Sequence, residues 1–241
     1  MHSPFVYDFI VNVLQNKDKS KPHEAIEAVR NKFLQDKTQI TIQDLGAGSR
    51  VHAFKHKTIR QIAKTAVKPK KFSLFLYRLV AYYKPKTILE LGTSLGISTA
   101  YMASAYPGAT IITIEGSPEI QQYAATGFKN LDMSFIKSLA GSFDALLPDV
   151  LTSVEYVDLA YIDGNHRLQP TLHYFEKLLA KKRSNSIFVF DDIHWSAEME
   201  EAWARIQKHP AVRYTIDLFF FGLVFFRPEF KIKQHFLIRF K

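Results

Sequence analysis

Two short stretches carry the residues best suited to chemistry. Asp163, Gly164, Asn165 and His166 follow the apolar run VDLAYI, and Asp191 and Asp192 close SIFVF with a pair of acids 28 residues beyond Asp163. Both runs read as buried strands, and a segment of helical period separates them. A strand–helix–strand unit with parallel strands brings both carboxyl ends to one rim of a sheet. Asp163, Asp191 and Asp192 then crowd together, and three such charges repel unless one is protonated or a cation joins them. Mg²⁺ suits that donor set, because it accepts a few carboxylates together with waters and substrate oxygens. His166 adds a side chain able to take a proton near neutral pH. Other roles stay open: Asp191 or Asp192 as a cap for the helix starting near Ser196, and Asp163 as a cofactor contact without metal. His194 and Trp195 either line a substrate pocket or pack structurally.

A second constellation lies upstream. Ile88–Ser98 reads ILELGTSLGIS, the order strand, glycine loop, helix. In open parallel sheets ligands bind beyond the carboxyl ends of the strands, where such loops sit. Gly92 permits a sharp turn off the strand, and Gly96 permits close approach of backbone to a ligand. A pyrophosphate site calls for G-x-G-x-x-G. Here the spacing is E-x-G-x-S-x-G, with Ser94 in the middle and the strand acid Glu90 in front. Glu115 closes the next strand, TIITIE, 25 residues after Glu90, where a carboxylate can accept two ribose hydroxyls. It reads equally as an acid favoured by a helix N-terminus, since Ser117-Pro118-Glu119 follow. Asp44-Leu45-Gly46-Ala47-Gly48-Ser49 is a similar loop, but no strand ending in an acid follows it for some 40 residues. It is expected to be a turn in the N-terminal extension, and a lid is one use for it.

E-x-G-x-S-x-G resembles motif I of S-adenosylmethionine methyltransferases, whose ligand brings a sulfonium and an amino-acid end rather than a pyrophosphate. Y-I-D-G-N-H followed by D-D is similar to the metal-dependent small-molecule O-methyltransferases, nearest to their macrolide-sugar and cephalosporin-associated branch; the catechol type carries Asp-Asn at the second site. The resemblance implies S-adenosylmethionine held by Glu90, Gly92, Thr93, Ser94, Gly96, Ser98, Glu115, Gly116 and Asp163, with adenine contacts at Gly141, Ser142 and Phe143. It further implies Asp163, Asp191 and Asp192 as Mg²⁺ ligands, and Asp163 and His166 as catalytic, His166 being the general base. Residues 1–70 lie outside it, and substrate choice is expected to reside there.

The elements that must position these residues alternate in type. Strands are expected at Thr87–Leu91, Thr110–Glu115, Met133–Lys137, Val157–Asp163 and Ser186–Asp191, with helices of ten or so residues between them. That alternation implies a doubly wound, mostly parallel α/β sheet. YTIDL and GLVFF, with Gly222 between, imply a C-terminal antiparallel hairpin, because no helix separates them. The tail KIKQHFLIRFK suggests an edge strand or a homodimer contact. Ahead of the break at 68–71, residues 1–70 read as a helical extension to the domain 71–241, with helices over 4–16, 23–35 and 58–66.

Bulk properties narrow the function classes. The chain has 241 residues, no cysteine and a net charge of +9. Lack of cysteine excludes disulfides and thiolate metal sites and fits a cytoplasmic protein. The apolar run Leu218–Phe226 is too short to span a bilayer, and Asp8 within the first apolar run argues against a signal peptide. Eleven of the 32 basic residues and no acid fall between Leu45 and Leu89, so the remaining 21 nearly balance the 23 acids. The excess is local: a solvated face or an anion-binding segment. Methylation of a small hydroxylated molecule is the leading expectation. A nucleic-acid methyltransferase using that basic segment is the second, weakened by the absence of an N/D-P-P-Y/F motif and of an RNA-binding module. A non-catalytic cofactor-binding protein is the third.

Overall fold

The computed structural model describes residues 3–16, 23–43 and 54–239. The loop Asp44–Ser49 therefore lies outside the described residues. An eight-stranded sheet organises the chain. Its five parallel strands are β3 (Thr87–Leu91), β4 (Thr110–Glu115), β5 (Lys137–Ala140), β6 (Val157–Ile162) and β7 (Lys182–Asp191). β8 (Tyr214–Asp217) and β9 (Phe221–Phe225) form the expected antiparallel hairpin, with β9 also antiparallel to β7. β10 (Gln234–Leu237) adds a parallel edge beside β8, so the tail is an edge strand. The spatial order is β10-β8-β9-β7-β6-β3-β4-β5. The chain therefore moves outward from β3 to β5, then returns to β6 on the other side of β3. That reversal opens a crevice above the ends of β3 and β6, as doubly wound sheets require.

Alternation along the strands sends neighbours to opposite faces. Leu89, Leu91, Ile112 and Ile114 join one buried cluster with helices α7 (Phe143–Ser153), α8 (Leu168–Leu179) and α9 (Ala197–Lys208). Ile88 and Ile111 join the other, with α4 (Lys70–Tyr83), α5 (Ile97–Ala105) and α6 (Pro118–Asn130). The N-terminal segment packs on this second face. It supplies α1 (Pro4–Phe9), a π-helical turn (Ile10–Leu14), α2 (His23–Gln35) and α3 (Ile59–Thr65). Phe9, Val13, Ile26, Phe33, Ile59 and Ile62 are buried in the same cluster as the sheet residues. Thr58 caps α3 in a reciprocal box with Gln61.

Several boundaries differ from expectation. The third strand runs over Lys137–Ala140 rather than 133–137, because its ladder with β4 pairs Ile112 with Lys137 and Glu115 with Ala140. Gly222 is not the hairpin turn but lies inside β9, where a Cβ would come within 2.7 Å of the Trp203 ring; a bulky neighbour is what selects glycine there. The chain turns instead at 218–220. β1 (Gln39–Gln43) acquires a partner the sequence did not suggest, β2 (Phe54–Thr58), in a separate antiparallel ribbon. No helix among the described residues is long and apolar enough to cross a membrane.

Candidate functional site

The glycine loop is held by its neighbours on both sides. Gly92 N–H donates to the Ile114 carbonyl (2.9 Å) and Asp163 N–H to the Leu91 carbonyl (2.8 Å). Gly92 adopts φ 106°, and a Cβ there would lie 1.9 Å from the Asp163 carbonyl oxygen. Only glycine admits that approach of β3 to the end of β6. Gly96, at φ 77°, then starts α5. Ser94 sits at the tip with φ 48°. Its N–H donates to Glu115 Oε2 (2.7 Å), and Ser117 N–H donates to Glu115 Oε1 (3.1 Å). Burial pushes the Glu115 carboxyl upward, while these amides pull the other way. Ser94 and Glu115 line a cavity of about 220 Å³, closed from the other side by Ile42, Lys57 and Ile62 of the N-terminal segment. The Ser94 hydroxyl is buried with no hydrogen-bond partner among the described residues. Buried polar atoms are seldom left so, and a hydroxyl beside a cavity is available to a ligand.

A smaller hollow adjoins it, lined by Gly92, Thr93, Ser98 and Asp163 together with Val67 and Lys68. Glu90 lines neither. Strand alternation turns it onto the α5 face, where it is fully buried and accepts hydrogen bonds from Thr99 and from Thr113 (2.6 Å). Burial pushes its carboxyl up to about 8, and its Oε1 has no partner among the described residues. Gly116 follows Glu115 at the loop after β4. Gly141, Ser142 and Phe143 line neither hollow; Ser142 caps α7 by accepting from Ala145 N–H (3.3 Å). Phe143 packs edge-on to Tyr174 (5.7 Å between centroids) and lies where a Gly164 Cβ would collide with it.

The structure brings the three acids together and adds a fourth charged group that the sequence did not single out. Lys68 Nζ makes a tight ion pair with Asp191 Oδ2, lies 3.4 Å from Asp192 Oδ2 and 4.0 Å from Asp163 Oδ1. Asp191 is 1% exposed. Burial and the Asp163 charge push its carboxyl well up, and Lys68 opposes them. The same three acids push the Lys68 ammonium above its ordinary range against its own burial. Tyr161, fully buried, donates from its hydroxyl to Asp163 Oδ2 (2.9 Å). His166 Nε2 lies 3.6 Å from Asp163 Oδ1, beyond hydrogen-bond range. Asn165, at φ 52°, donates to the Tyr174 hydroxyl (3.0 Å) and so anchors the loop bearing His166.

The acids converge, but an ammonium stands among them, and among the described residues no group of three His, Cys, Asp or Glu could hold a metal ion. Lys68 escaped notice because it lay in the Lys-Pro-Lys-Lys run, which read as a boundary; its partners are 95 residues or more away. His194 belongs to packing: its Nε2 lies 2.9 Å from Asp217 Oδ2, which also accepts from Trp203 Nε1 (3.2 Å). Trp195, 75% exposed, and the half-exposed Phe219 and Phe220 flank the acid cluster, with Asp192 N–H donating to the Phe220 carbonyl (2.8 Å). The arrangement offers a carboxylate facing a glycine loop, a positively charged group among three acids, an imidazole beside one of them, and exposed aromatic rings nearby.

Known proteins resemble parts of this chain. Residues 89–193 match the family described as "Methyltransferase domain". The chain is 32% identical over 125 residues to a catechol O-methyltransferase of Niastella koreensis, across 49% of this chain and 54% of that protein. It therefore spans about half the length of that curated relative. Among solved structures it is similar to an O-methyltransferase from Bacillus cereus in complex with SAH (TM-score 0.60, 20% identity, 92% of this chain and 97% of that one). It is also similar to the SAH-bound methyltransferase PaMTH1 of Podospora anserina (TM-score 0.66, 14% identity, 94% and 97%). At such identities the likeness speaks to the fold alone.

Proposed function

We propose that this chain, whose residues 89–193 match a methyltransferase-domain family, transfers a methyl group from S-adenosylmethionine to a hydroxyl of a small molecule. The observation that carries this reading is Glu115: a strand-end carboxylate bound to the Ser94 amide, with both residues lining one cavity beside the glycine loop. The residues fit the cofactor. Glu115 is suited to ribose hydroxyls, the Ser94 hydroxyl, without a partner among the described residues, is free to bond a ligand, and Glu90 is a buried acid behind the loop whose ionised form a nearby cationic centre would favour. Thr93, Ser98 and Gly92 wall the adjoining hollow. When bound, S-adenosylmethionine supplies a methyl activated by its positively charged sulfur. His166 then takes the proton of the acceptor hydroxyl at Nε2, and Asp163, 3.6 Å away, stabilises the imidazolium that results. The exposed rings of Trp195, Phe219 and Phe220 suit a flat hydroxylated acceptor.

Ile42, Lys57, Ile62, Thr65 and Ala66 of the N-terminal segment act here as the outer wall of the cofactor cavity. Magnesium is not carried into this reading, because Lys68 already stands among the acids. The lack of cysteine supports a cytoplasmic setting, and the exposed edge strand β10, with Leu237 74% exposed, supports self-association.

Calorimetric titration tests the reading. S-adenosylmethionine and its demethylated product should both bind the full chain. Glu115→Ala should weaken both by about 10-fold or more, the size of a lost charge-assisted hydrogen bond. A wild-type chain that binds neither ends the proposal.

A further inference from the structure

We propose that the Lys68 ammonium is a built-in cation for the Asp163–Asp191–Asp192 cluster, standing where a divalent ion would be needed, and that methyl transfer in this chain runs without metal. The second half rests on the reading under Proposed function; the first stands on geometry alone. Lysines are seldom buried unless paired, and this one turns inward: its side chain is 17% exposed and touches the cluster at Asp191, Asp192 and Asp163. Its backbone is fixed for that purpose. The Lys68 carbonyl accepts from Arg30 Nη1 (2.6 Å), and Pro69 follows as the N-cap of α4. Lys68 and Asp163 also line the same small hollow next to the glycine loop, so the ammonium stands at the cofactor crevice and not on a remote surface.

A divalent ion would need the same oxygens. Mg²⁺ demands near-octahedral oxygen ligands at about 2.0–2.1 Å, and the Asp191 oxygen it would require is already in contact with Nζ. Two cations beside one another would repel. One of them has to go, and the chain supplies the lysine. An ammonium has three N–H donors. Ion pairs hold it against Asp191 and Asp192, and an N–H is left for the acceptor oxygen. Lys68 keeps its proton throughout and acts through charge. The acceptor O–H gives its proton to His166, the oxygen forms a bond to the methyl carbon, and the S–C bond breaks with its electron pair going to sulfur. A lysine holds a single oxygen by charge, whereas a metal chelates two. The acceptor class this site fits is therefore a molecule with one reacting hydroxyl, with no need for a vicinal diol.

Mn²⁺, titrated alone into the full chain and read by paramagnetic resonance, tests the assignment. Wild type should show no binding up to millimolar Mn²⁺, whereas Lys68→Met, which frees three acids, should gain affinity by about 10-fold or more. Wild-type turnover should be unchanged by EDTA. Micromolar Mn²⁺ binding by wild type that is lost in Asp191→Asn overturns the proposal, as does a folded Lys68→Met chain that takes up no Mn²⁺, or loss of turnover on chelation. Should Lys68→Met fail to fold, the wild-type titration still decides. No methyl donor enters the Mn²⁺ experiment, so absent S-adenosylmethionine binding would sink the methyl-transfer reading while leaving the cation assignment to its own outcome.

Discussion

At the scale of single residues, the buried acids set the pH behaviour. Glu90 is fully enclosed, and its carboxyl is pushed up from 4.5 to about 8 by burial. Between those values the folded chain holds a proton that the unfolded chain has released. Stability therefore falls as pH rises through that window and levels off above it. Each pKa unit corresponds to about 1.4 kcal/mol, so the slope amounts to a few kcal/mol in total. Glu90→Gln keeps the side-chain shape and the acceptor for Thr99 and Thr113 without a titrating proton. Urea midpoints at pH 5 and pH 8.5 should diverge more for wild type than for the variant, in which Glu115 and Asp191 still titrate; an equal divergence in the two would refute the burial of a titrating acid at Glu90. His166 makes a different prediction, in turnover alone. His166→Ala should lower kcat by about 10²–10⁴-fold, the usual worth of a general base, while S-adenosylmethionine affinity stays unchanged in calorimetry. A variant that keeps full turnover removes His166 from the chemistry.

At the scale of elements, the strand ends are brought together by backbone contacts that tolerate no side chain at Gly92. A Cβ at 1.9 Å from the Asp163 carbonyl would force β3 and β6 apart, at a φ of 106° that alanine rarely adopts. Gly92→Ala should destabilise the chain by about 3 kcal/mol or more and abolish cofactor binding. Thermal melts with and without S-adenosylmethionine check both; a variant with a wild-type melt would show that the loop relaxes freely. These strand ends were legible in the sequence because each follows a short β-branched apolar run and precedes a helical period, so Glu115, Asp163 and Asp191 fell at one rim by topology. Glu90 was legible as an acid of this strand, but its burial against α5 was not, since the face a strand residue takes depends on which cluster its neighbours join. The third strand was misplaced because Met133–Ile136 look β-like locally, whereas the ladder with β4 selects Lys137–Ala140. Lys68 was illegible for a deeper reason. A lysine in a basic run carries no local sign of whether it is solvated or turned inward, and its three acids arrive from two other strands. β2 and the role of Gly222 were hidden likewise, the one by a partner strand and the other by the Trp203 ring.

At the scale of the whole molecule, the described helices of the N-terminal segment and the sheet share a single core. Phe9, Val13, Ile26, Val29, Phe33, Ile59 and Ile62 are all at most 9% exposed and belong to the cluster that covers one face of β3 and β4. Phe9 packs edge-on against Phe75 of α4 and Phe225 of β9. At about 1.5–3 kcal/mol for each buried side chain of this size, seven of them correspond to ~10–20 kcal/mol, an upper estimate given residual burial in the unfolded chain. Net stabilities of domains are only about 5–15 kcal/mol. Removal of the segment would also expose the apolar surfaces of α4, α5 and α6 that face it. It would strip away Lys68 and one wall of the cofactor cavity as well. A detachable lid predicts that residues 71–241 fold and bind S-adenosylmethionine alone. A shared core predicts the opposite: the fragment should show no cooperative melt by circular dichroism and no cofactor binding. Phe9→Ala in the full chain should already cost about 3–5 kcal/mol in urea. A fragment that melts cooperatively within a few degrees of the full chain would return the N-terminal segment to the status of a lid, and Lys68 with it to a group the site can lose.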